Sequence, residues 1–192
     1  IFCEGSKVIV AGSTWEEDEA ELIHYVRINP AIKFIIAPHS IDSENLKDVK
    51  KEFKGAVFYS ELTNDPISTS NILIIDNVGM LSRLYKYADI TYVGGGFGDD
   101  GVHNVLEAAV YGKPVVYGPE FEKYLEAEEL IESEGGISIN NALELEKVFN
   151  ELFSDDTEMK RRGKAASNYV YSKAGSTQKI TAHIYENRLL TN

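Results

Sequence analysis

Between residues 89 and 107 the chain reads D-I-T-Y-V-G-G-G-F-G-D-D-G-V-H-N-V-L-E, a short apolar strand running into a glycine-rich loop that opens a helix. Ile90, Tyr92 and Val93 supply the β-branched and aromatic side chains of a strand. Gly94, Gly95, Gly96, Gly98 and Gly101 remove Cβ atoms where a ligand would approach the backbone. The N–H groups of a helix opening near His103 then face the space above the loop, which is how helix starts hold phosphate. The same residues have a structural use, because Asn104 and Glu107 form a capping box, with Asn104 at the N-cap and Glu107 reaching back from the third helical position. Five glycines in eight residues exceed what a turn requires, and each surplus glycine adds conformational entropy lost on folding. The loop is therefore expected to carry an anion.

The segments on either side repeat the strand, loop, helix order. Lys7-Val8-Ile9-Val10-Ala11 reads as a strand that stops at Gly12-Ser13-Thr14-Trp15 before an acidic helix ended by Asn29-Pro30. Ser13 with Glu16, or Thr14 with Glu17, can cap that helix, and the Ser13 and Thr14 hydroxyls are equally able to hold a phosphate oxygen. Residues 33–37 form a buried strand followed by Pro38-His39-Ser40, and a helix runs from Ser43 to about Phe53. Strands at 56–59 and 72–76 flank a polar segment with Thr63, Asn64, Asp65, Pro66 and Ser68, read as a mobile loop. After Asp76-Asn77-Val78-Gly79 comes a helix over 80–87, and the helix beyond Glu107 gives way at Gly112-Lys113-Pro114 to a strand at 115–117 that ends in Gly118-Pro119. A helix over 120–134, a strand over 135–139 and three closing helices, about 142–152, 157–171 and 177–190, complete the chain.

Strands alternating with helices imply parallel pairing with right-handed crossovers, an α/β fold with a Rossmann-like doubly wound sheet. Ligands in such sheets sit at the carboxyl ends of the strands. Residues 12–14, 38–40, 77–79, 94–103 and 118–119 all follow strands, so they are expected to gather on one rim.

At 192 residues the chain is long enough for one sizeable domain, and one Rossmann-like domain is expected over 1–192. A formal charge of −12 argues against nucleic acid, and the acids read as solvated helix faces. The single cysteine, Cys3, offers neither a disulfide framework within the chain nor a Cys-based metal site, which suits a cytoplasmic setting. No metal cluster is expected either. Ile1-Phe2-Cys3 is too short for a signal peptide, no run reaches the roughly 20 apolar residues of a membrane span, and the chain reads as a piece of a longer protein.

Taken in order, the segments G-S-T-W, A-P-H, D-N-V-G-M-L-x-x-L-Y-x-x-A-D, V-G-G-G-F, G-x-H-N-V-L-E-A-A and G-K-P-V-V-Y-G-P closely resemble the C-terminal domain of the 3-deoxy-D-manno-octulosonic acid (Kdo) transferases. These are glycosyltransferases with two Rossmann-like domains in the GT-B arrangement, and the match runs from about Gly12 to Glu129. The resemblance implies that this domain holds the donor CMP-Kdo without a cofactor. It places Ser13 and Thr14 at phosphate or sugar acid, Pro38 and His39 at the nucleotide, and Val78 and Gly79 at the cytidine and phosphate region. Gly95, Gly96 and His103 then belong to the anion-binding loop, and Asn104 and Glu107 meet the donor's phosphate, ribose or sugar. It further implies inverting transfer to a lipid A precursor in lipopolysaccharide biosynthesis, at the cytoplasmic face of the bacterial inner membrane. The catalytic base and the peripheral membrane contact would lie in an N-terminal domain absent from this chain. The helix over about 176–192 would pack toward that domain.

The chain departs from the family where Pro-Arg-His is replaced by Pro38-His39-Ser40 and D-T-M-G-E by Asp76-Asn77-Val78-Gly79-Met80, and Asp99 and Asp100 add acids beside the expected anion site. Competing readings are another GT-B domain, from a UDP-sugar transferase or a sugar-nucleotide epimerase, and a nucleotide-binding module without chemistry.

Overall fold

The computed structural model describes residues 2–62 and 70–189. The expected loop residues from Thr63 to Ser68, and Leu190, lie outside the described residues. Seven strands, β1 (Val8–Thr14), β2 (Lys33–Pro38), β3 (Val57–Phe58), β4 (Ile72–Ile74), β5 (Ile90–Val93), β6 (Val115–Tyr117) and β7 (Gly136–Ser138), form one parallel sheet in the order β3-β4-β2-β1-β5-β6-β7. The chain winds outward from β1 through β2, then returns to place β5 on β1's other edge. The strand order therefore switches between β1 and β5, and the crevice at their carboxyl ends is where such a sheet takes ligands.

Alternation along β1 shows why helices cover both faces. Ile9 and Ala11 pack with Leu22, Tyr25 and Val26 of α1 (Glu16–Ile28), Val49 of α2 (Ser43–Glu52) and Phe149 of α6 (Ala142–Ser154). Val8 and Val10 belong to the opposite layer, with Tyr85 of a 3-10 turn, Ala108 and Ala109 of α4 (Leu106–Ala109), Leu130 of α5 (Leu125–Glu132) and Ala166 of α7 (Asp156–Ser172). A strand apolar on both sides suits only the interior of a three-layer sandwich.

Several helices are shorter than the apolar spacing predicts. The expected helix over 80–87 is α3 (Leu81–Leu84) tightening into a 3-10 turn over Tyr85–Tyr87, and the one over 120–134 begins only at Leu125. The helix expected from His103 is α4, four residues long, opening at Leu106. The cause lies upstream, because Val102 N–H is taken by Glu120 C=O at 2.8 Å and His103 N–H by Gly94 C=O at 2.9 Å, which holds 102–103 extended against its neighbours.

The last helix, α8 (Ser176–Glu186), buries no residue and leaves Ile180, Tyr185 and the following Leu189 exposed by 60 %, 74 % and 60 %. Among the described residues no helix is long and apolar enough to cross a membrane.

Candidate functional site at the strand switch

Four of the five strand-end segments meet directly. The bulge that ends β1 at Ser13, whose φ of 54° is left-handed, lets Thr14 C=O accept the His39 N–H at 2.9 Å just beyond β2. Left-handed backbone at a serine is uncommon, and the neighbouring chain explains its stability here. A Cβ on Gly94 would stand 2.3 Å from Ser13 O, so the end of β5 is pressed onto the bulge. A Cβ on Gly96 would meet Gly118 N at 2.7 Å, and one on Gly95 (φ +91°) would meet Gly101 O at 2.4 Å and the His103 ring at 2.9 Å. The glycines thus make room for other chain segments rather than for a ligand, which corrects the expectation that their missing Cβ atoms open a ligand path. Gly98 alone among the five has nothing closer than 3.7 Å.

The fifth segment stands apart. It follows β4, beyond β2, with Val78 86 % exposed and Gly79 at φ +87°. No described contact ties it to the glycine loop. The buried Oδ1 of its Asn77 has no hydrogen-bond partner among the described residues.

Three rings cap the crevice. Trp15 and His103 lie nearly coplanar, 6° apart, joined edge to edge by a 2.8 Å bond from Trp15 Nε1–H to His103 Nε2. The exposed His39 ring stacks on both, with centroids 4.3 Å from Trp15 and 4.5 Å from His103. Burial, and then the neighbouring His39, push the His103 imidazole below its ordinary pKa, while Asp100 opposes them. Burial and His39 both favour the neutral ring, in keeping with the bond from Trp15, which needs a lone pair on His103 Nε2.

Beneath the rings lies a buried carboxylate. The α1 cap is not Ser13 with Glu16 or Thr14 with Glu17; the helix opens one residue later, and Asp18 Oδ2 accepts the Trp15 N–H at 2.9 Å. The same oxygen accepts Gly95 N–H at 2.8 Å, and Oδ1 accepts the Tyr92 hydroxyl at 2.7 Å. Burial raises the pKa of Asp18 against the pull of these three donors. Glu19, 7 % exposed, accepts the Thr14 hydroxyl at 2.8 Å and is pushed up to about 7, chiefly by burial. Two acids of the α1 first turn are thus structural and not solvated faces.

Thr14 is 1 % exposed with its hydroxyl given to Glu19, Pro38 is buried as the last residue of β2, and Gly95 and Gly96 are buried under the loop. Ser13 and His103 are half-buried at the mouth, while Asn104 and Glu107 are exposed beside it. The Asn104–Glu107 box is only half formed. Asn104 Oδ1 accepts Leu106 N–H at 3.0 Å, but Glu107 takes the Asn104 amide at 3.4 Å instead of a backbone N–H. Both side chains keep polar atoms available at the rim. Trp15, Asp18, Glu19 and Tyr92 were not singled out by sequence; the run of four acids after Trp15, longer than a cap needs, was the available signal.

No protein-family model matches the chain. The chain is 35 % identical over 161 residues to a bifunctional glycosyltransferase/methyltransferase of Fusobacterium nucleatum, covering 78 % of the chain and 25 % of that protein. It is 32 % identical over 160 residues to the 3-deoxy-D-manno-octulosonic acid transferase of Aquifex aeolicus, covering 79 % of the chain and 43 % of that protein. The chain thus spans less than half the length of these curated relatives. In fold it matches the C-terminal CMP-Kdo binding domain of WaaA from Acinetobacter baumannii, with a TM-score of 0.77 at 18 % identity over 88 % of this chain and 91 % of that one. It also matches the lipopolysaccharide glycosyltransferase WaaG, with a TM-score of 0.62 at 12 % identity over 95 % of this chain and 47 % of that one. In sequence and fold, then, the chain is a homologue of the C-terminal, Rossmann-like domain of GT-B glycosyltransferases of the 3-deoxy-D-manno-octulosonic acid transferase type.

Proposed function

We propose that this domain holds CMP-Kdo at the switch between β1 and β5, and that the full-length protein transfers Kdo from it to a lipid A precursor. The observation that carries the reading is the placement of Asn104 and Glu107, exposed side by side where the glycine loop ends, next to the neutral ring of His103. Glu107 can accept from two vicinal ribose hydroxyls, and Asn104 can donate its amide to an anion. Ser13 and the loop N–H groups that no other segment takes, among them those of Phe97 and Asn104, face the leaving phosphate, whose growing charge they stabilise as the anomeric bond breaks. Val78 and Gly79 extend the site toward the cytidine. Thr14, Pro38, Gly95 and Gly96 act from below, by setting the rim's shape.

In this division of labour the acceptor hydroxyl attacks the anomeric carbon with inversion, and a base on a preceding domain takes its proton. That domain also supplies lipid and membrane contact at the inner face of the cytoplasmic membrane, since a net charge of −12 suits an anionic leaflet poorly. The exposed apolar side of α8 packs against it.

Thermal unfolding in the presence of CMP, UMP and UDP tests the reading, since a ligand at 100 times its Kd stabilises by about 2.7 kcal/mol. CMP should stabilise most, and Glu107→Gln should cost CMP about 1–3 kcal/mol of binding. Preference for UDP would point to a UDP-sugar enzyme, and indifference to all three would overturn the proposal.

A further inference from the structure

We infer that Trp15 is a positioning residue: it fixes His103 as the neutral Nδ1–H tautomer, so that this ring meets the donor's phosphate as a hydrogen-bond donor and not as a cation. The tautomer follows from chemistry. An indole N–H can only donate, so the 2.8 Å contact from Trp15 Nε1 requires a lone pair on His103 Nε2. An Nε2–H tautomer would set two hydrogens against each other, and an imidazolium would do the same. The proton of neutral His103 must then sit on Nδ1.

The rest of the site holds the ring in that pose. Its backbone N–H is bound to Gly94 C=O, its Cδ2 edge lies 2.9 Å from where a Gly95 Cβ would stand, and its face is covered by His39. Cδ2 and Nδ1 are opposite edges of an imidazole, so with Cδ2 against Gly95 and Nε2 against Trp15, Nδ1 is the one nitrogen left without a protein partner among the described residues. Trp15 is itself fixed, by its backbone N–H to Asp18, and Asp18 in turn holds Gly95. The chain of contacts thus ties the tautomer of His103 to the glycine loop's own anchor. The charged and titratable groups acting on the ring are His39 above it and Asp100 beside it. This inference rests on the donor-binding reading for the identity of the anion, but the tautomer does not.

Long-range proton–nitrogen correlation of the 15N-labelled chain near neutral pH reads the tautomer directly, with His103→Gln identifying the signals. We expect a protonated Nδ1 and a bare Nε2 in the unsubstituted chain. Trp15→Phe keeps a ring under His39 but removes the donor, so the Nε2–H form should gain population and the protonation midpoint of His103 should rise. The Kd for CMP should then rise about three- to tenfold, since the bond to the ionised phosphate is charge-assisted and the Nδ1–H form is only partly depleted, while the Kd for cytidine stays unchanged. Nε2–H or imidazolium in the unsubstituted chain overturns the assignment even if Trp15→Phe does not fold, as does a tautomer indifferent to Trp15→Phe. Equal loss of CMP and cytidine shows Trp15 to be merely structural. If the unsubstituted chain shows Nδ1–H but binds no CMP, the donor reading fails while the tautomer assignment stands.

Discussion

Asp18 and Gly95, 77 positions apart in sequence, are joined by a 2.8 Å bond from the Gly95 N–H to the carboxylate, which fastens the first helix to the glycine loop across the switch. Asp18 is fully buried and also serves Tyr92 and Trp15. Asp18→Ala leaves the Trp15 N–H, the Gly95 N–H and the Tyr92 hydroxyl without their acceptor and should lower stability by about 3 kcal/mol or more, against about 1–2 kcal/mol for Tyr92→Phe, which strands only the Oδ1 acceptor. Urea denaturation compares the two. Equal midpoints would show that Asp18 does not hold the loop.

Glu19 makes stability depend on pH. Its folded pKa of about 7 lies above the ordinary 4.5, so its protonated form is favoured by folding. The contribution is complete below about pH 4.5 and is lost as pH rises through 7, with an upper size of about 3 kcal/mol. Glu19→Gln should therefore stabilise the chain at pH 8 relative to the parent and leave it little changed at pH 5. A constant difference between the two across this range would show that Glu19 titrates normally.

The loop glycines separate into two kinds by what surrounds them. Gly94→Ala drives a methyl group to 2.3 Å from Ser13 O, a backbone atom that cannot step aside, and should cost more than about 2 kcal/mol. Gly98→Ala meets nothing nearer than 3.7 Å and should be neutral or slightly stabilising. Melting temperatures of the two variants decide it. Similar losses at both would mean that the loop depends on backbone freedom throughout, and not on close packing.

These glycines also show how far the sequence could be read. Alternating apolar runs such as 8–11 and 90–93 announce a parallel sheet because burial on both faces leaves few other solutions, and the glycine loop marks its ligand end. What the glycines accommodate was not legible, since Gly94 meets Ser13 and Gly96 meets Gly118 only after the strands are ordered. Local rules place an N-cap on Ser13 or Thr14, the residues with capping hydroxyls. The fold instead uses Thr14 for Glu19 and shifts the cap to Trp15, because Asp18 gains Gly95 and Tyr92 as additional donors. The three-ring stack draws on loops after three different strands, so no sequence window contains it.

The last helix offers a test of the proposed contact with a preceding domain. α8 has no buried residue, so within this chain it adds little to folding, and its apolar Ile180 and Tyr185 face solvent. Deleting residues 175–192 should shift the melting temperature of this chain by less than about 2 °C, since surface segments contribute little. Ile180→Asp should likewise be within about 0.5 kcal/mol of neutral here. If a preceding domain covers α8 as proposed, the same substitution in the full-length protein would place a carboxylate in that apolar contact, and should lower the melting temperature by several degrees and weaken transfer. If Ile180→Asp were as harmless there as in the isolated chain, α8 would not be the seam between the two domains.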